Sequence, residues 1–253
     1  MQGIEYFCDI ENEDLETVLR RYSCEVVIHT AANYGREDEN AMMVFDANLR
    51  LGLRILESAA NAGCRLFVNT GSQLPKFINA YGLSKAQLGE WGRLLSSRIQ
   101  FVDLKIEQMY GPKDDERKFV TWLLHQFKSR VPEVFLSPGT QERDFVHVTD
   151  VVSAIAAVID KSGLLPPYAR VDVGSGNLCE VREFVCKARD IWQGLTGEKL
   201  DVQLIFGALQ YRQGEKMKVL ENLEPLYNLG WHPKVSLDDG LKNLIEAYIV
   251  GDE

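Results

Sequence analysis

A tyrosine and a lysine four residues apart stand in the stretch NAYGLSKAQLGEW, residues 79–91. At helical spacing, Tyr81 and Lys85 lie on one face of a helix, one turn apart. The charge of Lys85 favours the phenolate form of Tyr81, whose unperturbed pKa is about 10, and makes it a usable proton donor or base. Such a pair typically serves hydride transfer to or from a nicotinamide. The alternative interpretation is an exposed helical pair, since this spacing alone is a weak signal.

A nicotinamide dinucleotide usually requires a glycine-rich turn that leads into a helix and holds the pyrophosphate. None of the 20 glycines in the sequence belongs to a GxxGxxG or GxGxxG motif. The nearest match is VDVGSGNLCEV at residues 171–181, where Cys179 occupies the position of the third glycine. We interpret this segment as a structural turn, with a dinucleotide loop as the less favoured alternative.

Short β-branched runs alternate with helical patterns in the first half of the chain. The runs are CEVVIHTAA (24–32), CRLFVNTGS (64–72) and IQFVDLKIEQMYGP (99–112), and the opening IEYFC (4–8) predicts a further strand. Helices are predicted over residues 12–22, 44–63 and 81–97, with Gly63 as a C-cap. This alternation predicts βαβ units and therefore an α/β fold with a doubly wound parallel sheet.

After residue 112 the pattern changes to mixed short segments, with helices predicted around residues 117–130 and 180–194. Four prolines punctuate this half, at positions 132, 138, 166 and 167. We therefore predict two domains. Residues 1–112 form the doubly wound domain, and residues 113–253 form mainly a smaller lobe with some segments that return to the sheet.

The composition excludes several classes of protein. A net charge of −9 and a pI of about 5.1 argue against nucleic-acid binding, which usually requires a basic patch. No apolar run approaches the roughly 18–20 residues of a membrane span, and the acidic N-terminus does not resemble a signal peptide. The five scattered cysteines lack CxxC pairs. They predict reduced thiols in a cytoplasmic protein, with no zinc site or other metal site and no membrane partner.

Ten blocks of sequence, in order from Ile4 to Tyr248, resemble the extended short-chain dehydrogenase/reductases, and within them the NAD-dependent epimerase/dehydratase family of nucleotide-sugar enzymes. The blocks are FCDIEN, VVIHTAA, NLRLGLRILESAANAG, FVNTGS, YGLSK, EQMYGP, RDFVHVTDV, VDVGSG, YRQGE and LGWHPKVSLDDGL. The stretches NTGSQLPKFINAYGLSKAQ and IEQMYGPKDD most resemble the 4-keto-6-deoxyhexose reductase branch, which includes CDP-abequose synthase-like proteins.

The resemblance implies that residues 1–112 form an NAD(P)-binding, Rossmann-like domain and that the second domain binds the substrate. The family's first strand, its glycine loop, the following helix and the second strand have no counterpart in this sequence. The sheet is therefore expected to be N-terminally truncated, with the position of the first strand vacant.

The resemblance also assigns catalytic roles. Tyr81 is the expected acid/base, and Lys85 lowers its pKa and holds the ribose hydroxyls of the coenzyme. Ser72 hydrogen-bonds the substrate carbonyl oxygen, with Thr70 as an alternative. A loop-capping serine is the competing interpretation of Ser72.

For the coenzyme, NAD or NADP, the resemblance places Asp9 and Ile10 at the adenine and Ala31 and Ala32 where the backbone approaches the dinucleotide. Asp9 could equally cap a helix, and both alanines could serve packing. Asn48 is expected to be structural rather than ligating.

The resemblance implies that the substrate is a nucleotide-diphosphate sugar. It places Ser72 at the sugar and Gln108 near the diphosphate. Arg143 and Arg212 are the candidates to bind the diphosphate, because a guanidinium group can donate two parallel hydrogen bonds to phosphate oxygens. Asp144 is expected to hold its neighbour in place, and His147 to be a buried structural histidine.

Family dehydratases carry an Asp-Glu pair where this chain reads SQLPK, so dehydration is disfavoured. The expected activity is 4-keto-6-deoxyhexose reduction in deoxysugar and O-antigen polysaccharide biosynthesis. A 4-epimerase with the same three catalytic residues, and a degenerate domain that binds a nucleotide sugar without catalysis, remain alternatives. The resemblance further predicts a homodimer that pairs through the helices at 44–63 and 81–97.

Overall fold

The computed structural model describes residues 8–10, 13–36, 39–212 and 214–250. The chain divides into two compact units, the first formed by Met1–Ile106 with Ile155–Val171 and the second by Glu107–Ala154 with Asp172–Glu253. The strand predicted at residues 4–8 lies outside the described residues except for Cys8, as does the first residue of the helix predicted over 12–22.

The helices and strands alternate along most of the chain. In chain order they are α1 (Leu15–Arg21), β1 (Val26–His29), α2 (Ala41–Phe45), α3 (Leu51–Ala62), β2 (Leu66–Ser72), α4 (Ala80–Leu95), β3 (Gln100–Ile106), β4 (Gln108–Tyr110), α5 (Phe119–Lys128), β5 (Glu133–Leu136), β6 (Glu142–His147), α6 (Val148–Asp160), β7 (Tyr168–Val173), β8 (Leu178–Glu180), α7 (Val181–Thr196), β9 (Gln203–Phe206), α8 (Glu224–Asn228) and α9 (Leu237–Val250).

A sheet with the strand order β1-β2-β3-β7 forms the centre of the first unit. β1 pairs with β2, and β2 with β3, in parallel. Phe67 and Phe101 are fully buried on neighbouring strands and stack with ring centroids 5.4 Å apart. Such strands are apolar because crossover helices cover a parallel sheet. The predicted α/β fold with a Rossmann-like parallel sheet is confirmed. The vacant first-strand position stays a prediction, since residues 1–7 are not described.

The long helix predicted over residues 44–63 is interrupted. It consists of α2, a π-helical turn at Asp46–Arg50, and α3. The helix ends as predicted at Gly63, whose φ of 86° is the left-handed conformation that glycine adopts without strain. The π turn buries Asn48 completely. Single π turns inside helices are frequent at functional sites.

The second unit contains two small sheets, one with the order β4-β6-β8 and one in which β5 and β9 pair in parallel. Aromatic side chains from several segments fill its core. Phe145 of β6 stacks on Phe184 of α7 with 3.9 Å between ring centroids, and Phe127 of α5 packs edge-on against Trp192. This apolar core holds together elements that are far apart in sequence.

The described part of the chain contains neither a candidate membrane-spanning helix nor a candidate metal cluster. None of the helices there combines the length and apolar character that crossing a bilayer requires. Within the same residues, no cluster of three or more His, Cys, Asp or Glu side chains could hold a metal ion. All five cysteines are free thiols.

Candidate active site

Tyr81 and Lys85 lie in the first two turns of α4, within the first unit. The helix begins there because Asn79 is its N-cap, and the Asn79 Oδ1 atom accepts a hydrogen bond of 2.8 Å from the Gly82 backbone N–H. Lys85 is only 1% exposed, whereas Tyr81 is partly exposed. The interpretation of the two residues as an exposed helical pair is therefore wrong for Lys85.

The structure brings Ser72 to Tyr81. Ser72 is the last residue of β2, where the parallel strands end, and its hydroxyl group acts to lower the pKa of the Tyr81 phenol. It also accepts a hydrogen bond of 3.2 Å from the Leu74 backbone N–H. The Thr70 hydroxyl group has another partner, since it donates a hydrogen bond of 3.1 Å to the His29 carbonyl oxygen. Ser72, rather than Thr70, is the hydroxyl available beside Tyr81.

The pKa of Tyr81 lies well above its ordinary value, and this corrects the expectation that Lys85 lowers it. Burial is the main cause, because it disfavours the phenolate, and the neighbouring Tyr34 raises the pKa further. The Ser72 hydroxyl group and the charge of Arg36 act in the opposite direction but have smaller effects on this pKa. Tyr81 is therefore a protonated phenol at neutral pH.

Lys85 presents a buried amine. Burial lowers its pKa to about 8; the Asp103 carboxylate raises this pKa, and the charge of Lys105 lowers it. Among the described residues, the Lys85 Nζ atom has no hydrogen-bond partner. A buried polar atom of this kind calls for an explanation, and one is that a ligand supplies its partner. A ribose hydroxyl group would satisfy it, so this residue fits a nicotinamide coenzyme.

Asn48 links the loop after β1 to α4. Its Oδ1 atom accepts from the Asn33 backbone N–H at 2.7 Å, and its Nδ2 atom donates to the Asn33 carbonyl oxygen at 2.7 Å and to the Ser84 Oγ atom at 3.1 Å. The Ser84 hydroxyl group in turn donates to the carbonyl oxygen of Tyr81 at 3.0 Å. These bonds agree with the structural role expected for Asn48, and they extend it to positioning the turn that carries Tyr81.

The other residues expected at the coenzyme lie outside helices and strands, after β1 or before α1. Ala31 and Ala32 lie in the loop after β1 and are exposed. Asp9 and Ile10 precede α1 in a turn, where the Glu13 side chain accepts from the Asp9 backbone N–H at 2.9 Å. Asp14, rather than Asp9, is the N-cap of α1, so the competing interpretation of Asp9 as the helix cap is wrong. Contact of these four residues with a dinucleotide stays a prediction.

The expected substrate residues belong to the second unit. Gln108 begins β4 and is exposed, and Arg212 is exposed in a loop. Arg143, in contrast, is only 8% exposed and forms an ion pair with Glu215. It also donates to the Glu142 carbonyl oxygen at 2.7 Å. Of the two arginines, Arg212 is therefore the one that presents its guanidinium group at the surface.

Asp144 and the turn after β7 explain the glycine-rich segment. The Asp144 carboxylate accepts from the Ser175 and Gly176 backbone N–H groups at 2.6 and 2.7 Å. A side chain at Gly174 would collide with this carboxylate. The segment is a structural turn held by Asp144, as interpreted from the sequence. His147 is buried and hydrogen-bonds Thr149 at 2.8 Å, in agreement with a structural role.

Sequence reasoning missed two carboxyl groups in the second unit, Glu107 and Glu221. The pKa of Glu107 is raised to about 7 and that of Glu221 to about 8; burial is the largest cause of both shifts, and the charge of Glu107 contributes to the shift of Glu221. Asp144 acts on both in the same direction. No local motif predicts the raised pKa values of these two residues, because their burial depends on segments that are distant in the chain.

Comparison with known proteins places the chain in a family. The chain is similar to CDP-abequose synthase of Salmonella typhimurium (strain LT2), at 27% identity over 228 residues that cover 87% of this chain and 75% of the relative. It is also similar to the UDP-glucuronate 4-epimerase of Thermodesulfobacterium geofontis, at 25% identity over 95% of this chain and 77% of the relative.

Among solved structures, MoeE5 in complex with UDP-glucose and NAD superimposes with a TM-score of 0.81 and 21% identity, over 98% of this chain and 86% of that chain. This likeness supports the fold. The sequence model that describes the NAD dependent epimerase/dehydratase family matches residues 5–174, about two thirds of the chain. The chain therefore belongs to the NAD dependent epimerase/dehydratase family, a family of enzymes.

Proposed function

We propose that the chain is an NAD- or NADP-dependent reductase of nucleotide sugars, and that its substrate is a 4-keto-6-deoxyhexose carried on a nucleoside diphosphate. The observation that carries the proposal is the buried amine of Lys85, which has no hydrogen-bond partner in the described part of the chain and lies one helical turn from Tyr81, whose pKa the Ser72 hydroxyl group lowers. The similarity to CDP-abequose synthase supports the choice of substrate class. Such a reaction belongs to deoxysugar and O-antigen polysaccharide biosynthesis.

The proposed mechanism uses three side chains of the first unit. Tyr81 donates its phenolic proton to the carbonyl oxygen, and Ser72 donates a hydrogen bond to the same oxygen. Lys85 holds the coenzyme ribose through its amine, and the charge of Arg36 favours the phenolate that remains on Tyr81. The bound coenzyme supplies the hydride that reaches the carbonyl carbon.

The similarity to CDP-abequose synthase favours ketone reduction over epimerisation. The protonation state of Tyr81 does not separate the two reactions, because a phenol with its ordinary pKa of about 10 is also protonated at neutral pH. Dehydration is disfavoured because Gln73 and Leu74, rather than an acidic pair, follow Ser72.

We further propose that Asp9, Ile10, Ala31 and Ala32 contribute to the dinucleotide site, and that Gln108, Arg143 and Arg212 contribute to binding the diphosphate. In this proposal the first domain binds the coenzyme and the second binds the substrate. The working form is proposed to be a homodimer.

The test is an NADPH- or NADH-oxidation assay with the CDP- and dTDP-linked 4-keto-6-deoxyglucose substrates, with the product identified by NMR. We expect coenzyme oxidation coupled to formation of the 4-hydroxy sugar, and its loss in Tyr81→Phe. Interconversion of UDP-sugar 4-epimers without net coenzyme oxidation would instead identify an epimerase. Calorimetric binding of a nucleotide sugar without any turnover would favour the degenerate binding domain.

A further inference from the structure

Buried polar side chains form a connected chain in the first unit, from the end of β1 to the middle of β3. The His29 Nδ1 atom lies 3.1 Å from the Asn69 Oδ1 atom, and the Asn69 Nδ2 atom donates to the Asp103 Oδ1 atom at 2.8 Å. The Asp103 Oδ2 atom forms an ion pair with the Lys105 Nζ atom at 2.7 Å. Asp103 is 1% exposed and Lys105 is 6% exposed. The proposed chemistry uses none of these residues.

Two glycines make room for the charged part of this chain. A Cβ atom on Gly71 of β2 would collide with the Asp103 carboxylate and lie 2.9 Å from the Lys105 Cδ atom. A Cβ atom on Gly89 of α4 would lie 2.6 Å from the Asp103 Oδ2 atom. Real Cβ atoms do not approach other atoms so closely, so a strand and a helix both lack side chains where the ion pair lies.

This ion pair lies beside Lys85. Gly89 follows Lys85 by one helical turn, so the Asp103 carboxylate packs against the same face of α4 that carries Lys85. The charges of Asp103 and Lys105 both act on the Lys85 amine, in opposite directions. Even so, the Lys85 Nζ atom has no hydrogen-bond partner among the described residues, whereas one Asp103 oxygen is bonded to Asn69 and the other to Lys105.

We propose that Lys105, together with Asn69, holds the Asp103 carboxylate in place so that it does not pair with Lys85, which leaves the Lys85 amine available to the coenzyme ribose. Asp103 and Lys105 are then positioning residues. The inference rests on the proposed function in one respect: it assumes that the Lys85 amine binds the coenzyme ribose. Its physical basis is competition between two cations for one buried carboxylate, since a buried charge that loses its partner is strongly unfavourable.

The experiment compares full-length Lys105→Met with the double variant Asp103→Asn/Lys105→Met, and uses Lys105→Arg as the charge-conserving control. Two quantities are measured in each: the Kd for NADPH and NADH, and the pH midpoint of the ¹³Cε NMR signal of Lys85, assigned with Lys85→Arg. Thermal unfolding monitors the fold. The NMR titration requires neither coenzyme nor turnover, so it tests the inference even if 4-ketoreduction is not observed.

In Lys105→Met, the released carboxylate should pair with Lys85. We expect the Lys85 midpoint to rise and the coenzyme Kd to increase by about tenfold, the effect of one charge-assisted hydrogen bond. The double variant removes the competing carboxylate as well, so both quantities should return towards the wild-type values. Lys105→Arg should change neither. A double variant as impaired as Lys105→Met, or a Lys105→Met with an unchanged Lys85 midpoint, would overturn the proposal.

Lys105→Met could fail to fold, since it leaves Asp103 buried without its ion-pair partner. In that case the coenzyme affinity and the Lys85 midpoint of Asp103→Asn test the proposal. The proposal then requires coenzyme affinity close to wild type and a lower Lys85 midpoint, because the amine stays available while the stabilising negative charge is gone. A loss of affinity as large as that of Lys85→Met would show that Asp103 itself holds the lysine, and would overturn the proposal.

Discussion

The ring of Tyr34 stacks on the ring of Tyr81, with 4.9 Å between the ring centroids and 27° between the planes. Burial is the main cause of the raised pKa of Tyr81, and a charge interaction with Tyr34 raises it further. The surroundings therefore hold Tyr81 in its proton-donating form. The stack connects the loop after β1 to the start of α4.

Tyr81→Phe should reduce 4-ketoreduction by at least the roughly 10²–10⁴-fold typical of a general acid. Substrate affinity should stay nearly unchanged, because only the hydroxyl group is removed. Steady-state kinetics with a 4-keto-6-deoxy nucleotide sugar and calorimetric binding give the two quantities. Tyr34→Phe is the matched control, since it keeps the stacked ring and should retain most of the activity. Near-full turnover by Tyr81→Phe would contradict the assigned role.

Lys85 should make the stability of the protein depend on alkaline pH. Its folded pKa of about 8 lies below its ordinary value of 10.5. The unfolded chain therefore binds the proton more tightly, and the free energy of unfolding should rise as pH increases from about 8 to about 10.5. The full difference corresponds to about 3 kcal/mol.

Denaturant unfolding of the wild type and Lys85→Met over this pH range measures the effect. Lys85→Met should be the more stable protein at neutral pH, and the difference should disappear at the alkaline end of the range. The exposed Lys242, whose ion pair with Glu246 is 4.0 Å long, provides the control Lys242→Met, which should follow the wild-type pH dependence. A pH-independent difference between the wild type and Lys85→Met would refute the assignment.

Arg212→Ala should weaken substrate binding rather than chemistry. A diphosphate contact forms equally in the ground state and the transition state, so KM should rise up to about tenfold while kcat stays within about twofold. Arg182→Ala serves as a control, because it removes another arginine, one that donates to the Pro138 carbonyl oxygen at 3.1 Å. A fall in kcat at unchanged KM would argue against a diphosphate contact.

Gly92→Ala should destabilise the protein, although alanine favours helices. A Cβ atom at Gly92 in α4 would overlap the ring of Phe101 in β3, which is fully buried and cannot yield freely. We expect a loss of about 1–3 kcal/mol, typical of overpacking. Gly194→Ala in α7 is the matched control, because its Cβ would meet no atom within 4 Å. It should gain up to about 1 kcal/mol. Chemical denaturation compares the two variants directly.

The predicted homodimer can be tested on α4. Leu94 is 68% exposed there, with Trp91 one turn earlier 41% exposed. If the helix predicted over 81–97 lies in the interface, Leu94→Lys should convert a dimer to a monomer in light scattering coupled to size-exclusion chromatography. Leu164→Lys, at an equally exposed leucine outside α4, should leave the mass unchanged. A wild-type monomer at micromolar concentration would disprove the prediction.

The spacing of Tyr81 and Lys85 and the helix that carries them followed from sequence, because the periodicity of a helix is a local property. Gly63 as a C-cap and the apolar strands of the parallel sheet were predicted for the same reason. The 13-residue helix α6 was missed, although its buried residues Val151, Ala154 and Val158 recur at helical spacing.

The electrostatics of the site were decided by the tertiary structure. Tyr81 was expected to have a lowered pKa from its neighbour Lys85, but burial reverses the direction. Arg143 pairs with Glu215, which is 72 residues away along the chain. Asp103 and Lys105 form their ion pair only where glycines of β2 and α4 leave room for it. Sequence spacing determines which side chains share a face, whereas burial and charge partners depend on which distant segments fold together.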